Sequence, residues 1–363
     1  MYTKMPIGMD DFAEVRKNYY FVDKTSFLCE FLKKHAKVTL FTRPRRFGKT
    51  LTLSMMRYFL DIEGAEEHRP LFDGLSIAGD PDAMAEQGTR PVLFLTLKGW
   101  KGLTWDILQV RVRQQIGDLF SAHDVLLADD LKAYDRRKFQ EILDRTGDFA
   151  ALSDALAFLL RLMEAHYGKK PVLLLDEYDV PIQSAWEHGY YDEAIDFFRE
   201  FYSAALKTNL SLDFAVMTGV LRIAKENIFS ALNNLKVDSV LQMQYPEAFG
   251  FTSAEVERMA GELGHPDKLQ ELRYWYDGYR FDGHEIYNPW SVVNYFDRAC
   301  TPAAYWVNTS GNAILAELMK SADRAHFETL DTLLRGGTVS AFLEEGVIYC
   351  DIGEEPAALY TML

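Results

Sequence analysis

The sequence predicts an α/β protein in which helices cover both faces of a mainly parallel sheet. Four short segments, at residues 37–44, 91–100, 171–179 and 212–221, predict strands, and each contains a short apolar run. Longer segments with helical periodicity separate them, as is typical of strands that are buried on both faces. Polar residues follow directly after three of these runs, and ligands of such sheets bind at the carboxyl ends of the strands. We therefore expect a ligand site at that edge of the sheet.

The segments between the runs carry amphipathic patterns that predict helices. These segments are 51–59, which follows the first run, then 106–123, 149–167 and 191–208. After about residue 244 the pattern changes. Thr252 and Glu255 form a capping box that predicts the start of a helix. The aromatic-rich stretch 272–296 predicts a small hairpin and then a helix that begins near Pro289.

These patterns divide the chain into three parts. We expect an N-terminal lead segment (1–30) that packs on the core, a core that contains the sheet and the expected ligand site (31–244), and a smaller, mainly helical lid domain (245–363). The core would be a three-layer αβα arrangement around the parallel sheet. The lid boundary follows only from the change in sequence pattern.

Composition narrows the class of protein. The chain has 363 residues, of which 48% are hydrophobic and 26% charged, as expected for a soluble globular protein. The formal net charge of −15 argues against a broad non-specific grip on DNA or RNA. No apolar run approaches the roughly 18 residues of a membrane helix, and the N terminus lacks the apolar core of a signal peptide. Three widely spaced cysteines predict a reducing, cytoplasmic location. The lack of a long apolar run predicts no membrane partner.

The first apolar run ends in RPRRFGKT, which we call the phosphate loop (residues 43–50). In this type of loop Gly48 lets the backbone approach phosphates, Lys49 reaches the β- and γ-phosphates, and the Thr50 hydroxyl binds Mg²⁺. Arg43 replaces the first glycine of G-x-x-x-x-G-K-[ST], but Pro44 can supply the bend. The alternative is that Gly-Lys-Thr only opens a helix. The residues that we assign to nucleotide binding are Arg43, Pro44, Arg45, Arg46, Phe47, Gly48, Lys49, Thr50 and Leu51.

The third run ends in Asp176 and Glu177, which we call the acidic tip. Phosphoryl transfer needs an acid that holds Mg²⁺ and a group that orients water. We expect Asp176, with Thr50, to serve the metal and Glu177 to act as the catalytic base. Thr218 at the end of the fourth run is a candidate γ-phosphate sensor, although a threonine that caps a turn is equally expected. Arg222 is a weaker candidate for phosphate binding.

Several stretches together resemble the bacterial AAA-ATPase-like family along nearly the whole chain. They are YYFVDKTSFL (19–28), TRPRRFGKT (42–50), LLLDEYD (173–179), MTGVLRIAKENIFSALNNL (217–235), YWYDGYRF (274–281), YNPWSVVNYF (287–296) and YWVNTSGN (305–312). The resemblance implies a P-loop NTPase of the additional-strand type with a catalytic glutamate. It also implies ATP and Mg²⁺ as ligands, and an arginine at position 43 is part of the family's pattern.

Members of that family often continue into a PD-(D/E)XK nuclease domain. The nearest match to the nuclease signature here is Asp124 with Asp130, Leu131 and Lys132, and its spacing is too short, so we assign this chain no nuclease activity. We expect a Mg²⁺-dependent ATPase that acts as a motor or switch for a partner domain. Two alternatives stay open, namely a regulatory switch with negligible hydrolysis and the ATPase component of a nuclease-linked, nucleic-acid-processing system. Oligomerisation is left open.

Two further segments carry alternatives. The apolar residues that end the chain, 359–363, indicate either a docked segment or a junction with a longer protein, and we expect the surface around 342–363 to contact the missing part. Residues 19–25 either line the base or ribose side of the site or form a strand and helix cap. The sequence favours the cap, with Asp23 or Thr25 starting the helix.

Overall fold

The computed structural model describes residues 4–221, 233–306 and 324–340, and all structural statements here concern these residues. The main sheet has five parallel strands in the order β2-β3-β4-β1-β5. Its strands are β1 (Val38–Thr42), β2 (Val92–Thr96), β3 (Val172–Asp176), β4 (Ala215–Gly219) and β5 (Leu235–Asp238). A second, antiparallel sheet has the order β6-β8-β7, with β6 (Phe251–Thr252), β7 (Asp277–Phe281) and β8 (His284–Tyr287).

Helices connect and cover these strands. The α-helices are α1 (Phe12–Asn18), α2 (Thr25–Lys34), α3 (Lys49–Leu60), α4 (Ala65–His68), α5 (Pro81–Met84), α6 (Trp105–Ser121), α7 (Ala133–Leu143), α8 (Ala155–Tyr167), α9 (Val180–Glu187), α10 (Tyr191–Leu206), α11 (Ser253–Glu262), α12 (Leu269–Tyr276), α13 (Pro289–Asp297) and α14 (Arg324–Leu334). Short 3₁₀ turns lie at Arg69–Phe72, Ser76–Gly79, Asp124–Ala128, Phe149–Leu152 and Pro266–Lys268. None of these helices is long and apolar enough to cross a membrane.

Both faces of the main sheet are buried, as the apolar runs predict. Every residue of β1, β3 and β4 is buried. Along β3 the side chains alternate between two hydrophobic clusters: Leu173 and Leu175 belong to one, and Val172 and Leu174 to the other. Because successive strand residues point to opposite faces, one cluster lies on each side of the sheet. This confirms the α/β architecture.

The strand order separates the two strands that carry the sequence motifs. β4 pairs with β1 on one side and with β3 on the other, so that Leu40 and Leu175 both lie opposite Met217. The phosphate loop after β1 and the acidic tip after β3 therefore flank the end of β4. Residues from all three strand ends meet at one edge of the sheet.

The sequence did not predict β5. Its four residues, LKVD, contain no continuous apolar run, and only Asp238 is fully buried. An edge strand has one neighbour and needs less apolar surface, so its pattern is weak. The predicted helices 106–123 and 191–208 correspond to α6 and α10, whereas the segment from 149 divides into a 3₁₀ turn and α8.

We call residues 251–306 the C-terminal unit. The capping box is present, since the Thr252 side chain accepts from the Glu255 N–H and the Glu255 carboxylate accepts from the Thr252 N–H. The β7–β8 turn places Asp282 and Gly283 at positive φ (47° and 86°), which favours Asp-Gly in a two-residue hairpin. α13 begins at Pro289 as predicted, and α11, α12 and α13 share one hydrophobic cluster.

The N-terminal residues pack against the phosphate-loop helix and the C-terminal unit. The Phe12 N–H donates to Ser54 Oγ (2.9 Å), and the Phe12 ring stacks on Phe72 with 5.0 Å between centroids. The Lys24 ammonium pairs with Glu255 at 2.6 Å, so that the start of α2 is joined to α11. The N-terminal segment therefore lies between the core and the C-terminal unit.

Candidate functional site

The phosphate loop turns from β1 into α3 through left-handed backbone. Gly48 is the N-cap of α3 and has φ 81°, and Arg46 has φ 69°. A Cβ atom placed on Gly48 would have no neighbouring atom within 4 Å, so it would project into open space. Glycine therefore permits this conformation and keeps the space next to the helix N terminus free for a ligand.

Lys49 is buried at the first position of α3. Its ammonium donates to the carbonyl oxygens of Arg43 (2.9 Å) and Pro44 (2.8 Å), which belong to the same loop. Burial lowers the pKa of Lys49 to about 8, although nearby carboxylates, Asp179 first and then Asp176, oppose this effect. The structure thus holds a desolvated cation beside the free space at Gly48.

Asp176 joins the phosphate loop to the acidic tip. The Thr50 hydroxyl donates to Asp176 Oδ2 at 2.8 Å across 126 residues of sequence. The Thr218 hydroxyl donates to Asp176 Oδ1 at 2.5 Å, and Thr96 Oγ1 lies 3.4 Å from Oδ2. Three strand or helix ends therefore fix one fully buried carboxylate. Thr50 and Asp176, assigned to the metal from sequence, lie in contact.

Glu177 follows at the point where the chain leaves β3. Its φ of 53° turns the backbone, and its N–H lies 3.4 Å from Thr218 Oγ1. Burial raises the pKa of the Glu177 carboxyl, and the neighbouring charges of Asp176 and Asp179 raise it further. The structure thus brings Glu177 and Thr218 together with Asp176.

Asp179 is a site residue that the sequence analysis did not assign. Its Oδ2 accepts from the N–H groups of Val220 (2.8 Å) and Leu221 (3.0 Å), which holds the chain after β4 against the acidic tip. Its buried Oδ1 has no hydrogen-bond partner among the residues that the structure describes. Burial raises the pKa of its carboxyl. The only signal in the sequence is a third carboxylate three residues after Asp176.

Contrary to the sequence prediction, the structure does not place the Arg43 guanidinium where it could bind phosphates. Its guanidinium is fully buried and pairs with Asp238 of β5 at 2.5 Å. It also lies 5.2 Å from the Phe249 ring centroid and donates to the Tyr245 carbonyl. Arg43 therefore fastens the start of the loop to the edge strand, and we revise its role to a structural one. Pro44 contributes its carbonyl to Lys49.

A cavity of about 390 Å³ lies between the core and the C-terminal unit. One part is polar and includes Arg45, Arg46, Lys49 and Glu177. Two lysines that the sequence analysis did not assign, Lys98 and Lys101, also line it just beyond β2. The remaining loop residues assigned from sequence that line it are Phe47, Gly48, Thr50 and Leu51.

The rest of the cavity wall is largely apolar. It comes from the N-terminal segment and from helices of the C-terminal unit, and includes Pro6, Met9, Tyr20, Phe21, Val22, Met259, Pro289, Trp290 and Val293. Residues 20–22 thus line this cavity, and their assignment to the base or ribose side of a nucleotide stays a prediction. α2 begins at Thr25, as the helix-cap alternative predicts, but its N-cap residue is Lys24, whose side chain makes no capping hydrogen bond. Asp23 instead accepts from the Thr25 N–H at 2.8 Å. Arg222 and the segment 342–363 lie outside the described residues.

The model of the AAA-ATPase-like family, described as a predicted AAA-ATPase, matches residues 6–229, and the chain belongs to this family. Membership indicates nucleotide binding, usually with Mg²⁺. An uncharacterized protein in the vnfD 5′ region of Azotobacter chroococcum mcd 1 is 30% identical over 350 residues, which are 95% of this chain and 61% of that protein. The chain thus spans about three-fifths of that relative's length. No solved structure matches.

Proposed function

We propose that this protein binds ATP with Mg²⁺ in the cavity and hydrolyses the terminal phosphoanhydride bond. The observation that carries the proposal is the 2.8 Å hydrogen bond from Thr50 to Asp176, which joins the phosphate loop to the acidic tip. A helix start that had no ligand would not need a buried carboxylate across the sheet. ATP is preferred to GTP because the family is described as a predicted AAA-ATPase.

The residues present fit a magnesium nucleotide. Gly48 leaves open space at the helix N terminus, where backbone N–H groups favour anions. Within the part of the chain that the structure describes, Lys49 donates only to loop carbonyls, and it can turn its ammonium to phosphate oxygens. Among the described residues no three His, Cys, Asp or Glu side chains form a metal cluster. Thr50 and Asp176 would therefore hold Mg²⁺ together with water and phosphate oxygens, as Mg²⁺ prefers.

The environments of the two carboxylates of the acidic tip support different roles, Asp176 at the metal and Glu177 as the base. Asp176 accepts hydrogen bonds from two threonine hydroxyls, which fix its position. Glu177 lines the cavity, and its raised pKa brings it closer to the neutral range in which a general base is efficient. Bound Mg²⁺ would neutralise phosphate charge, while Glu177 would orient and deprotonate water. The position of β4 between β1 and β3 supports assignment to the additional-strand, catalytic-glutamate type.

The direct test is nucleotide turnover by the purified full chain. We expect Mg²⁺-dependent ATP hydrolysis that EDTA abolishes, with GTP as the comparison substrate. Glu177→Gln keeps the shape but removes the base, so it should bind ATP normally and hydrolyse it roughly 10²-fold or more slowly. Glu193→Gln, an exposed position on α10, is the matched control and should hydrolyse at the wild-type rate.

Two outcomes would change the assignment. Normal hydrolysis by Glu177→Gln would remove Glu177 as the base. Tight ATP binding without measurable turnover by the wild type would favour a regulatory nucleotide switch instead of an ATPase.

We further propose that the nucleotide cycle serves a partner domain. The supporting observation is that the match covers only 61% of the relative from Azotobacter, which therefore extends beyond the matched region. The net charge of −15 gives no support to direct nucleic-acid binding by this chain. Measuring ATP turnover with DNA or RNA added tests the nuclease-linked alternative, because stimulation by either would favour it.

A further inference from the structure

Two consecutive residues of the phosphate loop rest on the C-terminal unit. The first is Arg46, whose guanidinium carbon lies 4.3 Å from the centroid of the Trp290 ring. Trp290 is the second residue of α13, and its indole N–H donates to the Tyr305 carbonyl at 3.0 Å. The hydrogen bond to Tyr305 thus fixes the indole within the C-terminal unit, and the face of the ring contacts the Arg46 guanidinium of the core. Arg46 and Trp290 both line the cavity.

The second residue is Phe47, which is buried between the core and the β7–β8 hairpin. Its ring packs edge-on against Tyr279 with 4.9 Å between centroids, and its carbonyl accepts from the Gly250 N–H at 3.3 Å. Gly250 has φ 82°, and a Cβ there would lie 2.3 Å from Ile286 and 3.2 Å from the Phe47 ring. Only glycine allows this close approach. The loop therefore cannot move at Phe47 without disturbing the hairpin.

The contact of Arg46 leaves its hydrogen-bonding capacity available. Within the described residues Arg46 forms no ion pair, whereas Arg43 of the same loop is paired with Asp238. Stacking uses the face of a guanidinium, and its N–H groups lie in the plane, where they can donate to phosphate oxygens. Trp290 thus holds a cation at the wall of the cavity without neutralising it.

We propose that Trp290 is a positioning residue of the phosphate loop: it holds Arg46 at the cavity wall for the phosphates, so that binding a polyphosphate and docking of α13 on the loop are coupled. This role rests on the proposed nucleotide site, because the coupling makes the contact between the core and the C-terminal unit depend on the nucleotide. Nucleotide phosphates would strengthen the contact between the core and the C-terminal unit. Loss of the phosphates would weaken it.

A double-mutant cycle on nucleotide affinity tests the pair. Mg²⁺-ATP affinity is measured by calorimetry for wild type, Arg46→Ala, Trp290→Ala and the double variant of the full chain. Each single change should weaken binding roughly two- to fivefold, the scale of one cation–π contact at an exposed arginine. If Arg46 and Trp290 act as a pair, the double variant should bind Mg²⁺-ATP with about the same affinity as the single variant that binds it more weakly.

The chain offers a matched control. Arg45 lines the same cavity but hydrogen-bonds to Gln183 of α9 at 3.1 Å. The effects of Arg45→Ala and Trp290→Ala on affinity should therefore multiply. Trp290→Phe keeps an aromatic face and should restore most of the affinity lost in Trp290→Ala, which also keeps the test usable if Trp290→Ala folds poorly.

A second readout is amide hydrogen exchange. Mg²⁺-ATP should slow exchange in α13 and in β7–β8 of the wild type, and should do so much less in Arg46→Ala. Two results would overturn the role of Trp290 but leave the proposed nucleotide site intact. One is that the losses of Mg²⁺-ATP affinity in Arg46→Ala and Trp290→Ala multiply in the double variant. The other is that hydrogen exchange in α13 does not change when nucleotide binds. Failure of the wild type to bind Mg²⁺-ATP would instead overturn the proposed function.

Discussion

Replacing Lys49 with methionine should stabilise the nucleotide-free protein and abolish its response to ATP. The Lys49 pKa is about 8 against an ordinary value of 10.5. At about 1.4 kcal/mol for each tenfold change in the protonation equilibrium, holding this charge costs about 3 kcal/mol at neutral pH. Methionine removes that cost but leaves the Arg43 and Pro44 carbonyls without a donor. We therefore expect a net gain of about 1 to 2 kcal/mol.

Thermal unfolding with and without nucleotide measures both effects. Without nucleotide, Lys49→Met should raise Tm by roughly 1 to 3 °C. Saturating Mg²⁺-ATP, at 100 times its Kd, should stabilise the wild type by about 2.7 kcal/mol and leave Lys49→Met unchanged. The order of the two Tm values should then reverse. Lys169→Met, at an exposed position, is the control and should behave like the wild type.

The pH dependence gives an independent check with a defined sign. The folded pKa of Lys49 lies below its unfolded value, so between pH 8 and 10.5 the unfolded chain binds more protons than the folded protein. The free energy of unfolding of the wild type should therefore rise with pH across this window, relative to Lys49→Met. A lower Tm for Lys49→Met without nucleotide, together with a retained shift on adding ATP, would refute the reasoning.

Two other predictions concern buried acids. Asp238→Ala leaves the Arg43 guanidinium buried without its partner and should lower the free energy of unfolding by about 3 to 5 kcal/mol in urea titrations; a loss below about 1 kcal/mol would contradict the role given to Arg43. Burial raises the Asp61 pKa to about 7, above its unfolded value of 3.8, so the wild type loses stability as pH rises through this window. Asp61→Asn should then stabilise the protein by roughly 1 to 3 kcal/mol at pH 8, with the difference vanishing towards pH 4; equal stability at both pH values would argue against a buried, neutral Asp61.

Much of the fold could be predicted because its signals are local. Continuous apolar runs predict β1, β2, β3 and β4. The capping box of Thr252 and Glu255, two residues that hydrogen-bond to each other three positions apart, predicts the start of α11. Asp282 and Gly283 suit the left-handed turn between β7 and β8. Each of these features depends on neighbours within a few residues, where side-chain chemistry restricts the backbone directly.

The core of the candidate site was also accessible from sequence. Lys49, Thr50, Asp176 and Glu177 carry chemistry that only a few site types combine, and each follows a strand-like run. In a parallel sheet the carboxyl ends of strands lie at one edge, so the residues that follow them are expected to meet. The Thr50–Asp176 hydrogen bond agrees with that expectation.

The tertiary structure decided which charges face the ligand. Arg43, Arg45 and Arg46 look equivalent in the sequence, yet Arg43 pairs with Asp238, which lies 195 residues away, and the other two line the cavity. The difference arises from β5, an edge strand whose four residues carry too little apolar pattern to predict.

The apolar wall of the cavity also depends on contacts between residues that are far apart in the sequence. Trp290 and the aromatic residues at 20–21 belong to segments whose own patterns indicate only a helix and a helix cap. They reach the site because the N-terminal segment and the C-terminal unit pack on either side of the phosphate loop. A local pattern determines which residues form a helix or strand, but long-range packing determines what each side chain contacts, since burial and charge pairing depend on residues far apart in the chain.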